Sequence, residues 1–280
     1  MKQKTIKKSV EVSGLGLHTG EITTLKFFPA EENTGVRFRR ADLGGIEIPA
    51  VVQTVIDTQR STTIGVSREA LIWTVEHILA SVYCLGITNL IIEARAPETP
   101  LLDGSAHGVV AALLAAEIVE QNADTKTIEI TKPIFVEQGD ATILAVPCDT
   151  YKISYTMSYP HPVIGDQFKE IEITQENFVN EICNCRTFAL YSELEELLQR
   201  GLIKGGSLDN AIIITDNAIL SKEGLRFKNE FVRHKIMDIV GDLSLIGCRI
   251  KGHIISIKSG HNCNVKMAQE IYKNFAVQSK

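Results

Sequence analysis

The sequence predicts an α+β fold of two similar β/α-sandwich domains related by a pseudo-twofold, each with an insert and with the active site between them. Three observations predict it. The order strand, strand, helix, strand, helix occurs once in residues 1–124 and again in residues 125–280. The long helix of each half runs into a glycine, Gly86 or Gly247, the residue suited to a left-handed helix end. Nine residues before those glycines stand His77 and Asp238, and after them Leu102-Asp103-Gly104-Ser105 matches Lys258-Ser259-Gly260-His261.

The elements follow in order. Thr5–Val12 and Glu21–Phe28 read as strands around the turn Gly14–Gly20. Glu69–Leu85 reads as a helix, Leu90–Ala94 as a strand and Ser105–Glu120 as a helix rich in Ala and Leu. The apolar pattern breaks at Asn122, Ala123 and Asp124, which marks the junction between the halves. Thr127–Val136 and Ala141–Pro147 then read as strands around Gly139, Arg226–Ile246 as a helix, His253–Lys258 as a strand and Asn262–Asn274 as a helix. Two stretches have no counterpart and are read as inserts. One is residues 42–60, with Pro49. The other is residues 187–214, with a helix over Tyr191–Gln199.

The composition narrows the function classes. A chain of 280 residues with 44% apolar side chains can bury a large core. A net charge of −5 without a basic block argues against a general nucleic-acid binder. No run approaches 18 apolar residues, and the start lacks the apolar stretch of a signal peptide. Six scattered cysteines without a C-x-x-C pair read as reduced thiols, so a cytoplasmic protein is expected.

The chemistry-bearing residues fall in three segments. His234 and Asp238 are four apart and share one helix face. Phe231, Val232, Ile236, Ile239, Val240 and Leu243 mark the buried side of that helix. His77 supplies a third ligand. Two histidines and one carboxylate leave a metal an open coordination position, as catalytic zinc sites require. Glu76 lies about 100° round the helix from His77, so one can ligate while the other acts on a water. His261 stands at a strand–turn–helix junction, where a protonated imidazole suits a general acid. His18 sits in the glycine-rich turn, which is not a dinucleotide fingerprint. Each segment alone also fits a bland reading, such as a solvated helix face or a half-buried histidine.

Taken together, the motifs resemble one family. Gly16-Leu17-His18-Thr19-Gly20, Thr74-Val75-Glu76-His77, Leu102-Asp103-Gly104-Ser105, Arg186-Thr187-Phe188, Phe231-Val232-Arg233-His234-Lys235, Gly241-Asp242-Leu243 and Lys258-Ser259-Gly260-His261 occur in the order found in the UDP-3-O-acyl-N-acetylglucosamine deacetylases. These are zinc amidases that commit the pathway to lipid A. The resemblance spans essentially the whole chain. It implies His77, His234 and Asp238 as ligands of Zn2+, or of Fe2+ in its place, and Glu76 as base. It implies His261 as the acid that protonates the leaving amine, Asp242 as its support and Thr187 as an oxyanion donor. Lys235 and Lys258 would lie near the substrate phosphates. Leu17, His18 and Gly206 would line the sugar and acyl region, and Phe188 in the second insert the acyl passage. Tyr159 stands where the family often has a Phe on uracil. A monomer without a fused second enzyme is expected, acting on a UDP-linked acylated amino sugar. The rival classes are a non-catalytic binding module with a structural metal and an amidase for another acylated nucleotide sugar.

Overall fold

The computed structural model describes residues 1–276. It is an α+β fold with two main mixed sheets. In the first, Val10–Leu15, Ile22–Pro29, Leu90–Ala94, Val36–Arg40 and Ile46–Pro49 lie side by side in that order. Only the Val36–Arg40 and Leu90–Ala94 pair is parallel. In the second, Ile134–Gln138, Ala141–Val146, Arg249–Ile257, Tyr151–Ser158 and Asp166–Glu172 repeat both the order and the sense of every pairing. Thr127–Glu129 adds a further strand beside Arg249–Ile257. The match reaches the backbone. Leu102 and Lys258, equated by the sequence repeat, both adopt left-handed φ, at 56° and 55°. Gly86 and Gly247 both have φ of 76°, as residues ending a helix should.

Six α-helices complete the fold among the described residues: α1 (Glu76–Cys84), α2 (His107–Ala115), the single turn α3 (Gln175–Asn177), α4 (Tyr191–Gln199), α5 (Glu230–Ser244) and α6 (His261–Ile271). Every residue of α1 is buried, polar Glu76, His77 and Ser81 among them. A helix apolar nearly all round belongs inside a protein, not on its surface. It lies against α5. A β-carbon on Gly241 of α5 would collide with the Glu76 carbonyl oxygen at the start of α1, so glycine sets how closely the two helices approach. One continuous core joins Phe27 and Phe38 of the first sheet, Ile78 and Val82 of α1, Ile236 and Val240 of α5, and Ile153 and Ile254 of the second sheet.

Several element boundaries differ from the sequence expectation. The helix expected over Glu69–Leu85 begins only at Glu76. Leu71–Ile72 is instead a strand of a small sheet with Val55–Asp57 and Thr63–Gly65, and Thr74 turns the chain with φ of 62°. The helix expected over Ser105–Glu120 stops at Ala115. Ile118–Asp124 pairs with Lys2–Ile6, where β-branched Ile118 and Val119 find a partner strand. The strand expected over Thr5–Val12 breaks at Lys7, whose N–H bonds to the Glu117 carbonyl. Ile46–Pro49, expected inside an insert, is an edge strand of the main sheet, and the added unit is the small sheet over residues 55–72. The second insert carries Phe188–Leu190, α4, Ile212–Thr215 and Ala218–Leu220.

Candidate metal centre and active site

The α1–α5 contact brings the two segments of the sequence analysis together. One donor atom each from His77, His234 and Asp238 lies within 4.8 Å of the others. His77 Nε2 and His234 Nε2 stand 3.6 and 3.5 Å from Asp238 Oδ1, too far for strong hydrogen bonds. Donors at roughly 2.1 Å from a tetrahedral ion are separated by about 3.4 Å, so the spacing fits a metal. Asp238 Oδ1 is also buried with no hydrogen-bond partner, and such an atom wants an explanation. A bound cation would supply it.

Neighbouring groups hold two of these three side chains in place. His234 Nδ1–H donates to the Cys185 carbonyl at 3.1 Å, which leaves the Nε2 lone pair facing inward. Burial lowers the His234 pKa to about 4, so the ring is neutral, as a ligand must be. Burial opposes ionisation of Asp238, but Lys235 and then His234 hold its pKa well below the usual carboxylate range. Lys235 Nζ donates to Asp238 Oδ2 at 2.6 Å, leaving Oδ1 free.

A second cluster stands beside the first. His261, at the start of α6, donates from Nδ1 to Asp242 Oδ2 at 2.9 Å. Its Nε2 lies 3.9 Å from Glu76 Oε1. Burial would lower the His261 pKa, but Asp242 and then Glu76 outweigh it and raise the value to about 9, so the imidazole is protonated near neutrality. Burial raises the pKa of Glu76, against the attraction of His261 and His77. Asp242 also accepts from Asn264 Nδ2 at 2.9 Å and from Thr62 Oγ1 at 2.6 Å. Neither Thr62 nor Asn264 was found from the sequence. Both are common residue types in ordinary surroundings, and only folding brings them to Asp242.

Both clusters open into one cavity of about 350 Å³. Of the residues singled out by sequence, Leu17, Tyr159, Thr187, Phe188 and Lys235 line it, together with Glu76, His77, His234, Asp238 and His261. Asp242 lies behind His261 and is fully buried. His18 is buried with both ring nitrogens unpartnered, and its N–H donates to Glu98 Oε1 at 2.7 Å. Gly206 sits beside the Leu17 side chain, outside the lining. Lys258 pairs with Asp140 at 3.2 Å, also outside it. Arg60 and Glu193, from the two added units, line the cavity and pair with each other at 2.7 Å. Sequence reading did not reach them.

The Cys185–Phe188 segment, which carries Thr187 and the carbonyl that orients His234, is tied to the start of α5. Glu230 accepts from Arg186 N and Arg186 Nε, each at 2.9 Å, and from Arg226 N at 2.7 Å. Both side chains of the Arg186–Glu230 pair are buried. Removing one partner of a buried pair strands the other charge. Glu230→Ala is therefore expected to lower stability by roughly 3–5 kcal/mol, read by denaturant unfolding. A loss below about 1 kcal/mol would show that Arg186 finds water instead.

A His–His–Asp group that could hold a metal and a Glu–His pair, sharing one cavity on an α+β scaffold, are consistent with a metal-dependent hydrolase. The comparisons with known proteins identify its family. The model of the family described as UDP-3-O-acyl N-acetylglycosamine deacetylase matches residues 3–273. Curated proteins named UDP-3-O-acyl-N-acetylglucosamine deacetylase are similar along nearly their whole length. The one from Chlamydia felis is 44% identical, covering 96% of each chain. The one from Citrifermentans bemidjiense is 43% identical, covering 97% of this chain and 89% of its own. The one from Thermodesulfovibrio yellowstonii is 41% identical, covering 99% and 98%. This chain belongs to the UDP-3-O-acyl-N-acetylglucosamine deacetylase family and is an amide-cleaving hydrolase.

Proposed function

We propose that the protein uses one zinc ion, replaceable by Fe2+, to hydrolyse the acetamide of a UDP-3-O-(3-hydroxyacyl)-N-acetylglucosamine. The products are acetate and the free amine, and the step commits the sugar to lipid A. One observation carries this reading: the His77–His234–Asp238 group and the Glu76–His261 pair open side by side into a single cavity. When bound, the metal supplies Lewis-acid polarisation of the amide carbonyl and acidifies a water.

The chain's own groups do the rest. Glu76 takes the proton of the attacking water through Oε1, since Oε2 already accepts from the Thr62 N–H at 3.0 Å. Thr187, on the cavity wall, donates to the oxyanion that forms. His261 Nε2–H protonates the amide nitrogen, which leaves poorly until it carries that proton, and Asp242 holds the ring for the transfer. Phe188, Leu17 and Leu190 offer an apolar wall for the acyl chain. Tyr159 packs edge-on to Phe188, with centroids 6.4 Å apart, and presents a ring for uracil. Lys235 serves the substrate phosphates as well as Asp238. Lys258, Gly206 and His18, outside the lining of this cavity, are assigned the remaining substrate contacts.

We place the domain boundary at residues 124/125. Ile118–Asp124 pairs with the first half and Thr127–Glu129 with the second. The functional unit is one chain, because it contributes every ligand atom itself. No described helix is long and apolar enough to cross a membrane, and all six cysteines are free, which suits a reducing cytoplasm. The test is acetate release from the UDP-sugar by purified protein. A chelator should abolish it and added zinc should restore it, with the circular-dichroism spectrum unchanged throughout. Full activity in chelator would refute the metal-dependent reading.

A further inference from the structure

Thr62 commits every polar group it has. Its N–H donates to Glu76 Oε2 at 3.0 Å, and its hydroxyl donates to Asp242 Oδ1 at 2.6 Å. Its carbonyl accepts from Val75 N, just before α1, at 3.2 Å. The residue is fully buried at the edge of the small sheet over residues 55–72. A β-branched side chain has few rotamers, so the hydroxyl is held on one line. Thr62 thus touches both carboxylates of the acid–base cluster, and neither would contact the substrate through the oxygen it engages.

We propose that Thr62 is a positioning residue for the reaction, fixing Glu76 and the Asp242–His261 pair relative to each other. The inference rests on the deacetylase reading above. The backbone donor takes Oε2 of Glu76 and leaves Oε1, the oxygen facing His261 Nε2, for the water proton. The hydroxyl takes Oδ1 of Asp242 and leaves Oδ2 to His261 and Asn264. A carboxylate so divided cannot rotate about its Cβ–Cγ bond without giving up a donor, and the imidazole it holds cannot swing. Positioning of this kind acts on the transition state more than on substrate binding. It also gives the small sheet, whose Ile64 and Ile72 join the main core, a task in catalysis.

The experiment compares Thr62→Val and Thr62→Ser with the unaltered protein, all loaded with zinc. Valine keeps the shape and the N–H but loses the hydroxyl. It should lower kcat about 10- to 100-fold, with KM within about twofold and one zinc per chain. Serine restores the hydroxyl and should return kcat to within about threefold of the original. Because valine can also disturb folding, Thr62→Val is combined with Asp242→Asn. If Thr62 acts through Asp242, the double variant is no slower than Asp242→Asn alone. An unchanged kcat in Thr62→Val, or losses that multiply in the double variant, overturns the proposal. An unaltered protein that releases no acetate would instead overturn the deacetylase reading.

Discussion

Glu76→Gln is expected to lower kcat for acetate release by about 10²–10⁴-fold while zinc binding persists. Glutamine keeps an acceptor for the Thr62 N–H and fills the same volume, so only the capacity to take a proton is lost. Stability should not fall with activity. Burial raises the folded-state pKa of Glu76, so above the unfolded value near 4.5 the ionised carboxylate is a burden on the fold. That burden is absent below this pH and grows as pH rises through the folded-state pKa. An uncharged amide removes it, and the melting temperature of the metal-free variant at pH 7 should match or exceed that of the parent. Active sites often hold groups that stability alone would reject. A Glu76→Gln protein with kcat within threefold of the parent would remove Glu76 from the mechanism.

Asp238→Ala is expected to lose both the metal and the activity, and to destabilise the fold as well. On the proposed reading the carboxylate would supply one of the three ligand atoms, and with two imidazoles left the site would hold zinc weakly. The same substitution leaves the largely buried Lys235 ammonium without its partner at 2.6 Å. Breaking a buried pair from one side costs about 3–5 kcal/mol. Elemental analysis should find far less than one zinc per chain, and denaturant unfolding should find the lower stability. Stoichiometric zinc in Asp238→Ala would contradict the ligand assignment.

Much of the site was legible because its chemistry is concentrated in short segments. His234 and Asp238 needed only helical spacing to share a face, and Glu76-His77 stands at the start of the partner helix. The repeat also showed itself, through Gly86 and Gly247 and through the matched Leu102 and Lys258 segments. Thr62 was invisible, since it meets Asp242 across 180 residues of sequence and Ser61-Thr62-Thr63 reads as any polar strand entry. Glu98 was equally silent. It accepts from His18 N, Thr19 N and Thr19 Oγ1, and so shapes the turn that presents Leu17. Helix ends were misjudged where a strand partner overrides the local pattern. Leu71–Ile72 and Ile118–Glu120 fit an apolar helical pattern, and pairing draws them into sheets, the first with nearby Thr63–Gly65 and the second with distant Lys2–Ile6. Tertiary pairing overrides local preference at such places.

The order of strands in the two sheets bears on how the protein comes into being on the ribosome. In each sheet the central strand is the last to be made: Leu90–Ala94 in the first, Arg249–Ile257 in the second. A nascent chain can therefore close its first sheet early, after residue 94, and domains generally fold in the order of their synthesis. The candidate metal group cannot share that schedule. His77 emerges early but waits for His234 and Asp238 to follow. The second sheet, which seats α5, waits longer still, for its middle strand. On the proposed reading, metal capture would thus be a late event in the life of the chain, and synthesis halted before residue 234 would leave only one of the three donors in place.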